Sequence, residues 1–238
     1  MKVKICGLTN LEDAQTAVAA GADYLGFIFY PPSKRSVDLK TAGTIVQSLR
    51  ATPNCPILVG VFVNEAGERM AQILDEVRLD LAQLSGEEVP FLVGDARSPI
   101  YGRCYKALRP TSLAEAEADA EWYSVTGNQY SVISKQSPIS TLQSPSLLID
   151  TYHPTLRGGT GETGNWEMSA QLAQKIPGLM LAGGLTAENV AEAVRVVRPF
   201  AVDVASGVEA SPGQKDPRLI RAFIQNAKYS LKNASLMD

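Results

Sequence analysis

The chain has 238 residues, 45% hydrophobic and 20% charged, with a formal net charge of −3. That balance suits a compact α/β protein of one large domain or two small ones, and it gives no reason to expect nucleic acid, which needs clustered Lys and Arg. Three widely spaced cysteines (Cys6, Cys55, Cys104) argue against a disulfide framework or zinc knuckle, and the lone histidine, His153, excludes chemistries that need several. No apolar run approaches the roughly 18 residues of a membrane span, so no membrane partner is expected. The stretch MKVKICGLTN lacks the apolar core of a signal peptide. The expected location is a reducing cytoplasm.

In chain order, short apolar runs alternate with segments of helical period. VKIC (3–6) precedes LEDAQTAVAAG, where Thr9-x-x-Glu12 reads as a capping box. YLGFIF (24–29) precedes LKTAGTIVQSLR, ILVGVFV (57–63) precedes EAGERMAQILDEV, and LAQL (81–84) precedes a short EEVPFLVG. CYKAL (104–108) precedes LAEAEADAEW, and LLID (147–150) precedes a helix from about Trp166 to Lys175. GLMLAGG (178–184) precedes AENVAEAVRVV, and AVDVASG (201–207) precedes PRLIRAFIQNAK.

These are eight strand–helix units whose strands are apolar almost throughout, the pattern of a parallel sheet buried on both faces. Eight units in this length predict an α/β fold, a single-domain (β/α)₈ barrel, which typically takes roughly 250 residues; a doubly wound open sheet also satisfies the pattern. The expected organisation is a barrel over 1–228 with a C-terminal tail at 229–238. A polar, Ser- and Gln-rich insertion at about 123–146 is too long for an ordinary connection between helix 5 and strand 6. Helix-to-strand connections lie on the N-terminal face of a barrel, so this elaboration reads as surface and not as a lid, with QYSVIS a candidate extra strand.

After the sixth strand, Gly159-Thr-Gly161-Glu-Thr-Gly164 fits G-x-G-x-x-G by eye. A dinucleotide fingerprint follows the first strand directly and is answered about 20 residues later by an acidic residue. Here TYHPTLRG intervenes, the unit is the sixth, and the next strand ends in glycine. A Walker loop fails too, because Asn165 and Trp166 stand where Lys and Ser or Thr belong. The stronger signal is that three consecutive units end in small residues: GGTG (158–161), LAGGL (181–185) and VASGV (204–208). Glycines let backbone N–H groups approach an anion closely, and barrels commonly seat a phosphate between the loops after strands 7 and 8. The expected ligand is a phosphorylated small molecule at the C-terminal face.

KICGLT (4–9), LGFIF-YPPSKR (25–35), VGVFVN (59–64), Asp150 with GGTG and Trp166, LAGGLTAENV (181–190) and VDVASGVEASPGQKD (202–216) together resemble the phosphoribosylanthranilate isomerases. The likeness runs end to end and in order, interrupted mainly by the insertion. It implies a cofactor-free, metal-free (β/α)₈ enzyme of tryptophan biosynthesis, monomeric or homodimeric, that performs an Amadori rearrangement. Its substrate would be N-(5-phosphoribosyl)anthranilate and its product 1-(2-carboxyphenylamino)-1-deoxyribulose 5-phosphate. By resemblance Cys6 is the general base, Asp150 the general acid and Arg35 a residue beside the substrate. Gly158, Gly159, Gly183, Gly184, Ser206 and Gly207 are the phosphate-binding candidates.

The chemistry is compatible with that pair. Ring opening needs a proton on the departing ring oxygen, which a carboxylic acid can supply; the resulting Schiff base has an acidified C2 hydrogen for a base to remove. A free thiol of pKa about 8.5 is a less obvious base, and helix N-termini at the same end of the barrel could lower that value. Cys6 ends its strand and precedes Gly7, which puts it at the barrel mouth, whereas Cys104 reads as a small buried residue. Asp203, inside strand 8, reads as structural or as a support behind the acting groups, and His153 as a bystander.

Three positions depart from the family pattern: Ser85 stands in place of a histidine, Asn165 in place of an aspartate before Trp166, and Ala205 in place of the first of two serines. Two other functions remain open. A Schiff-base phosphosugar aldolase needs a lysine inside the barrel, for which Lys106 on strand 5 is the candidate. A non-catalytic phosphoribosyl-ligand-binding barrel would keep the pocket without turnover. Metal-dependent epimerases are excluded by the single histidine, and the related histidine-pathway isomerases normally use two aspartates, the first of which is Cys6 here.

Overall fold

The computed structural model describes residues 1–123, 144–150 and 166–230. Eight parallel strands close into a barrel: β1 (Lys2–Cys6), β2 (Tyr24–Ile28), β3 (Ile57–Phe62), β4 (Leu81–Leu84), β5 (Cys104–Leu108), β6 (Leu147–Asp150), β7 (Leu179–Ala182) and β8 (Ala201–Val204). The helices between and after them are α1 (Leu11–Ala20), α2 (Leu39–Arg50), α3 (Gly67–Val77), α4 (Phe91–Gly94), α5 (Leu113–Tyr123), α6 (Trp166–Lys175), α7 (Val190–Val197) and α8 (Pro217–Tyr229). β8 pairs directly with β1, Lys4 standing opposite Asp203 and Ile5 opposite Val204. That closure removes the open-sheet alternative. The last helix runs one residue beyond the expected barrel limit at 228. The connection between α5 and β6 is long in sequence, and its residues 124–143, QYSVIS among them, lie outside the described residues.

Successive side chains of a strand point to opposite faces, and here both faces are covered. Inside the barrel, Tyr24, Val59, Leu81, Tyr105, Leu148, Met180 and Ala201 form one apolar cluster. Outside it, Val3, Ile5, Leu25, Phe27, Leu58, Phe62, Val202 and Val204 pack against the helices. Each fully buried side chain of this size contributes about 1.5–3 kcal/mol relative to exposure. The outer shell therefore holds helices to strands, while the inner cluster plugs the barrel and leaves its C-terminal end for polar groups.

The first helix starts differently from the expected capping box. Asn10 is the cap, its side-chain oxygen accepting from the Asp13 N–H at 2.9 Å, while the Thr9 hydroxyl donates to the Gly213 carbonyl at 2.6 Å. Thr9 is thus used to tie the loop after β1 to the segment after β8. In that segment a 3₁₀ turn (Ser206–Val208) leads into a small hairpin, β9 (Glu209–Ser211) and β10 (Gln214–Lys215), turning at Gly213 with φ of 83°.

Candidate active site

Inward-facing residues at the upper end of the strands build the site. Cys6, Lys4, Gln83, Tyr105 and Asp203 sit on β1, β4, β5 and β8. The fully buried Lys4 ammonium donates to Asp203 Oδ1 at 3.0 Å and to Gln83 Oε1 at 2.9 Å. The Tyr105 hydroxyl also donates to Gln83 Oε1, at 2.9 Å, and the Gln83 amide donates to the Ser85 hydroxyl at 3.1 Å. Burial opposes charge on Lys4, but the Asp203 carboxylate outweighs it and the ammonium's pKa is raised. This polar floor beneath Cys6 was not anticipated apart from Asp203, which pairs with Lys4 there. Ser85 belongs to the same chain of hydrogen bonds.

Cys6 ends β1 and is 5% exposed. Its Sγ occupies the space that a side chain on Gly26 would need: a Cβ there would come within 2.7 Å of the sulfur. Burial pushes the Cys6 thiol up, against the pull of the Lys4 and Lys215 ammonium groups. The expected lowering by helix termini is therefore not the net result, because desolvation of a thiolate in this position costs more than its cationic neighbours return. Asp150 ends β6 with its side chain one-third exposed, and Arg109 Nε donates to its Oδ2 at 3.1 Å. Burial raises the Asp150 carboxyl too, with Arg109 pulling it down and Asp203 adding to the rise. A carboxyl that keeps its proton to higher pH is a weaker acid but is more often protonated near neutrality, and so more available as a proton donor.

Arg35 lies on the loop after β2, its side chain 26% exposed, and makes a two-point ion pair with Glu209: Nε to Oε1 at 2.8 Å and Nη2 to Oε2 at 2.7 Å. Lys215 grips the same carboxylate at 3.0 Å and also donates to the Ala205 carbonyl at 2.9 Å. Because that contact uses backbone, the Ala205 departure leaves it intact. The loops after β7 and β8 touch through backbone: a Cβ on Gly207 would fall 1.9 Å from the Leu185 carbonyl oxygen. Gly183 and Gly184 have φ of 92° and 60°, and the Asn189 amide donates to the Gly184 carbonyl at 3.0 Å. Gly184 and Ser206 are exposed at this end of the barrel. Gly158, Gly159, His153 and Asn165 lie outside the described residues.

Lys106 does not sit where an aldolase lysine must. It lies between Tyr105, which faces the barrel interior, and Leu108 of the outer packing, and its ammonium points out of the barrel. There it pairs with Glu88 Oε2 at 2.8 Å, donates to the Gly86 carbonyl and stands 5.7 Å from the centre of the Tyr123 ring on α5. Strand parity alone excludes it from the pocket. What faces the pocket is Lys4, and its pairing with Asp203 leaves it charged and engaged.

The fold and the placement of its ionisable groups define a (β/α)₈-barrel enzyme with an acid and a cysteine at the C-terminal mouth. Residues 3–226 match the family described as N-(5'phosphoribosyl)anthranilate (PRA) isomerase. The chain is 43% identical over 231 residues to N-(5'-phosphoribosyl)anthranilate isomerase of Trichlorobacter lovleyi, covering 97% of this chain and 100% of that one. It superposes on the crystal structure of phosphoribosyl anthranilate isomerase from Thermotoga maritima with a TM-score of 0.76 at 37% identity, covering 96% of this chain and 98% of that one. A further isomerase structure, 35% identical with a TM-score of 0.73 and covering 96% and 98% of the two chains, is a complex with reduced 1-(o-carboxyphenylamino)-1-deoxyribulose 5-phosphate. A crystal structure of monomers generated from the dimeric Thermotoga maritima enzyme also matches, at 37% identity and a TM-score of 0.74 over 96% and 98% of the chains. The chain belongs to the phosphoribosylanthranilate isomerase family.

Proposed function

We infer that the chain converts N-(5-phosphoribosyl)anthranilate to 1-(2-carboxyphenylamino)-1-deoxyribulose 5-phosphate in tryptophan biosynthesis, with Asp150 as general acid and Cys6 as general base. The observation that carries the assignment is that these two proton-exchanging groups end β6 and β1 at the same mouth, with the carboxyl raised by its surroundings. Asp150 protonates the furanose oxygen as the ring opens. The amine nitrogen's lone pair forms the C1=N Schiff base, Cys6 takes the C2 proton, and the enolamine tautomerises to the ketone. The one bond cleavage, between C1 and the ring oxygen, sends its electron pair to the oxygen that Asp150 protonates, and the remaining steps are proton transfers, so the chemistry asks for no metal or hydride carrier. Gly183, Gly184, Ser206 and Gly207 are assigned to the phosphate, supported by the backbone-to-backbone approach of the loops after β7 and β8. Gly158 and Gly159 are assigned to it by their place in the sequence. A monomer or homodimer is consistent with the forms known for the Thermotoga maritima relative.

The test is the decay of anthranilate fluorescence with fresh phosphoribosylanthranilate in metal-free buffer. Cys6→Ser and Asp150→Asn are each expected to lose about 10²- to 10⁴-fold in kcat, the usual worth of a general acid or base. Turnover that survived Cys6→Ser would sink the base assignment while leaving the reaction in place. Tight product binding without wild-type turnover would instead establish a non-catalytic binding barrel.

A further inference from the structure

Arg35 is held far more firmly than a loop arginine needs to be. Its stem crosses Gly7, which has φ of 74° and no side chain; a Cβ there would meet Arg35 Cδ at 2.9 Å. Its Nε and Nη2 are both committed to Glu209, which leaves the Nη1 end and the guanidinium face for other contacts. Glu209 is 5% exposed at its side chain and Lys215 fully buried there. The carboxylate thus sits between two cations, and the triad carries a net charge of +1 beside Cys6.

The same loops are already fastened by other bonds. Thr9 ties to Gly213, and the Lys215 backbone N–H donates to Asp13 Oδ2 at 2.9 Å on α1. Holding the hairpin therefore does not require a two-point grip on Arg35. What the grip does is remove the rotamer freedom of a long side chain at the mouth, a cost otherwise met on substrate binding.

We propose that Glu209, seated by Lys215, is a positioning residue for the isomerase reaction: its two-point contact fixes the Arg35 guanidinium in the orientation that meets the substrate. The inference rests on the reading of Arg35 as a substrate contact. A carboxylate is required because only it accepts two parallel N–H bonds from a guanidinium while also accepting from Lys215.

Steady-state kinetics on the full chain with phosphoribosylanthranilate test it, using wild type, Arg35→Ala, Glu209→Gln and the double variant, each checked for folding by circular dichroism. Glutamine keeps the shape and one acceptor for Lys215, so the barrel is expected to fold. Glu209→Gln is expected to lower kcat/KM about tenfold, mostly through KM, since a misplacement of about 1 Å can cost up to 10²-fold. In the Arg35→Ala background the same change is expected to cost almost nothing, because neighbours acting as a unit are non-additive. Wild-type kinetics in Glu209→Gln, or an equal loss in both backgrounds, would overturn the proposal. Wild-type kinetics in Arg35→Ala would instead remove the reading of Arg35 itself, and the proposal with it. Arg35→Lys leaves Glu209 and Lys215 untouched and is the second probe. It keeps the charge but not the fork and is expected to lose nearly as much as Arg35→Ala; full activity there also overturns the proposal.

Discussion

The two sides of the barrel mouth are built to different standards. On the side of β8, β1 and β2, Cys6 rests on a buried Lys4–Asp203 pair and is flanked by Arg35, Glu209 and Lys215, which join the loop after β2 to the segment after β8, while Thr9 ties the loop after β1 to that same segment. On the side of β5 and β6, Asp150 has one charged partner among the described residues, Arg109, whose side chain is 61% exposed. The cysteine proposed as base is thus set by groups removed from water, where interactions are strong and hard to disturb, and the carboxyl proposed as acid by a pair that solvent screens. The difference suits the two tasks. A buried thiol needs fixed cations nearby to ionise at all. A carboxyl needs only enough burial to keep its proton, and an exposed arginine opposes that only weakly.

Removing Lys4 should break the contrast most severely. Lys4→Met leaves Asp203 inside the barrel without its cation, and losing one partner of a buried pair costs about 3–5 kcal/mol. Thermal unfolding should show a large drop in Tm, and because Lys4 pulls Cys6 down, any folded fraction should turn over more slowly. A Tm within a few degrees of wild type would mean that the polar floor adds nothing to the base side.

The pH profile sharpens the comparison with a smaller effect. With the proposed roles, the productive form holds a protonated Asp150 and a Cys6 thiolate. Both groups are raised by burial, from ordinary values of about 3.9 and 8.5. The acid still titrates below the base, so that form is a minor one, and its fraction is constant between the two pKa values. Below Asp150's value the thiolate fraction falls with each pH unit; above Cys6's value the protonated carboxyl does. We therefore expect kcat/KM to show a plateau between an acidic limb displaced upward from the ordinary carboxyl range and an alkaline limb displaced upward from the ordinary thiol range. A single limb rising through neutral pH, with no plateau, would contradict the paired assignment.

Arg109→Gln should have the smallest effect. An exposed pair of this kind contributes about 0–1 kcal/mol to stability, so Tm should barely move. Since Arg109 pulls the Asp150 carboxyl down, its removal should shift only the acidic limb, and toward higher pH. An unmoved acidic limb would assign that limb to another group.

The barrel was legible in the sequence because eight apolar runs separated by helical periods leave few other architectures, and the order of those runs put Cys6 and Asp150 at strand ends. Parity was not legible. A strand buried on both faces shows no alternation of polar and apolar residues, so nothing in CYKAL told whether Tyr105 or Lys106 faces inward. The capping box was misread for a related reason: Thr9 satisfies the local pattern, but the Gly213 carbonyl, from the far end of the chain, claims its hydroxyl.

The sequence by itself determined the alternation of elements and the positions of Cys6 and Asp150 at strand ends, since both rest on patterns within a few turns of chain; the roles proposed for that pair come from the family resemblance, and barrel closure came from the pairing of β8 with β1. Only the tertiary structure decided the partners. Lys4 meets Asp203 across 199 residues and Arg35 meets Glu209 across 174, in the first case because barrel closure sets β8 beside β1 in one register. The direction of each pKa shift was decided there as well, because it sums the loss of water with the charges that distant segments bring within reach.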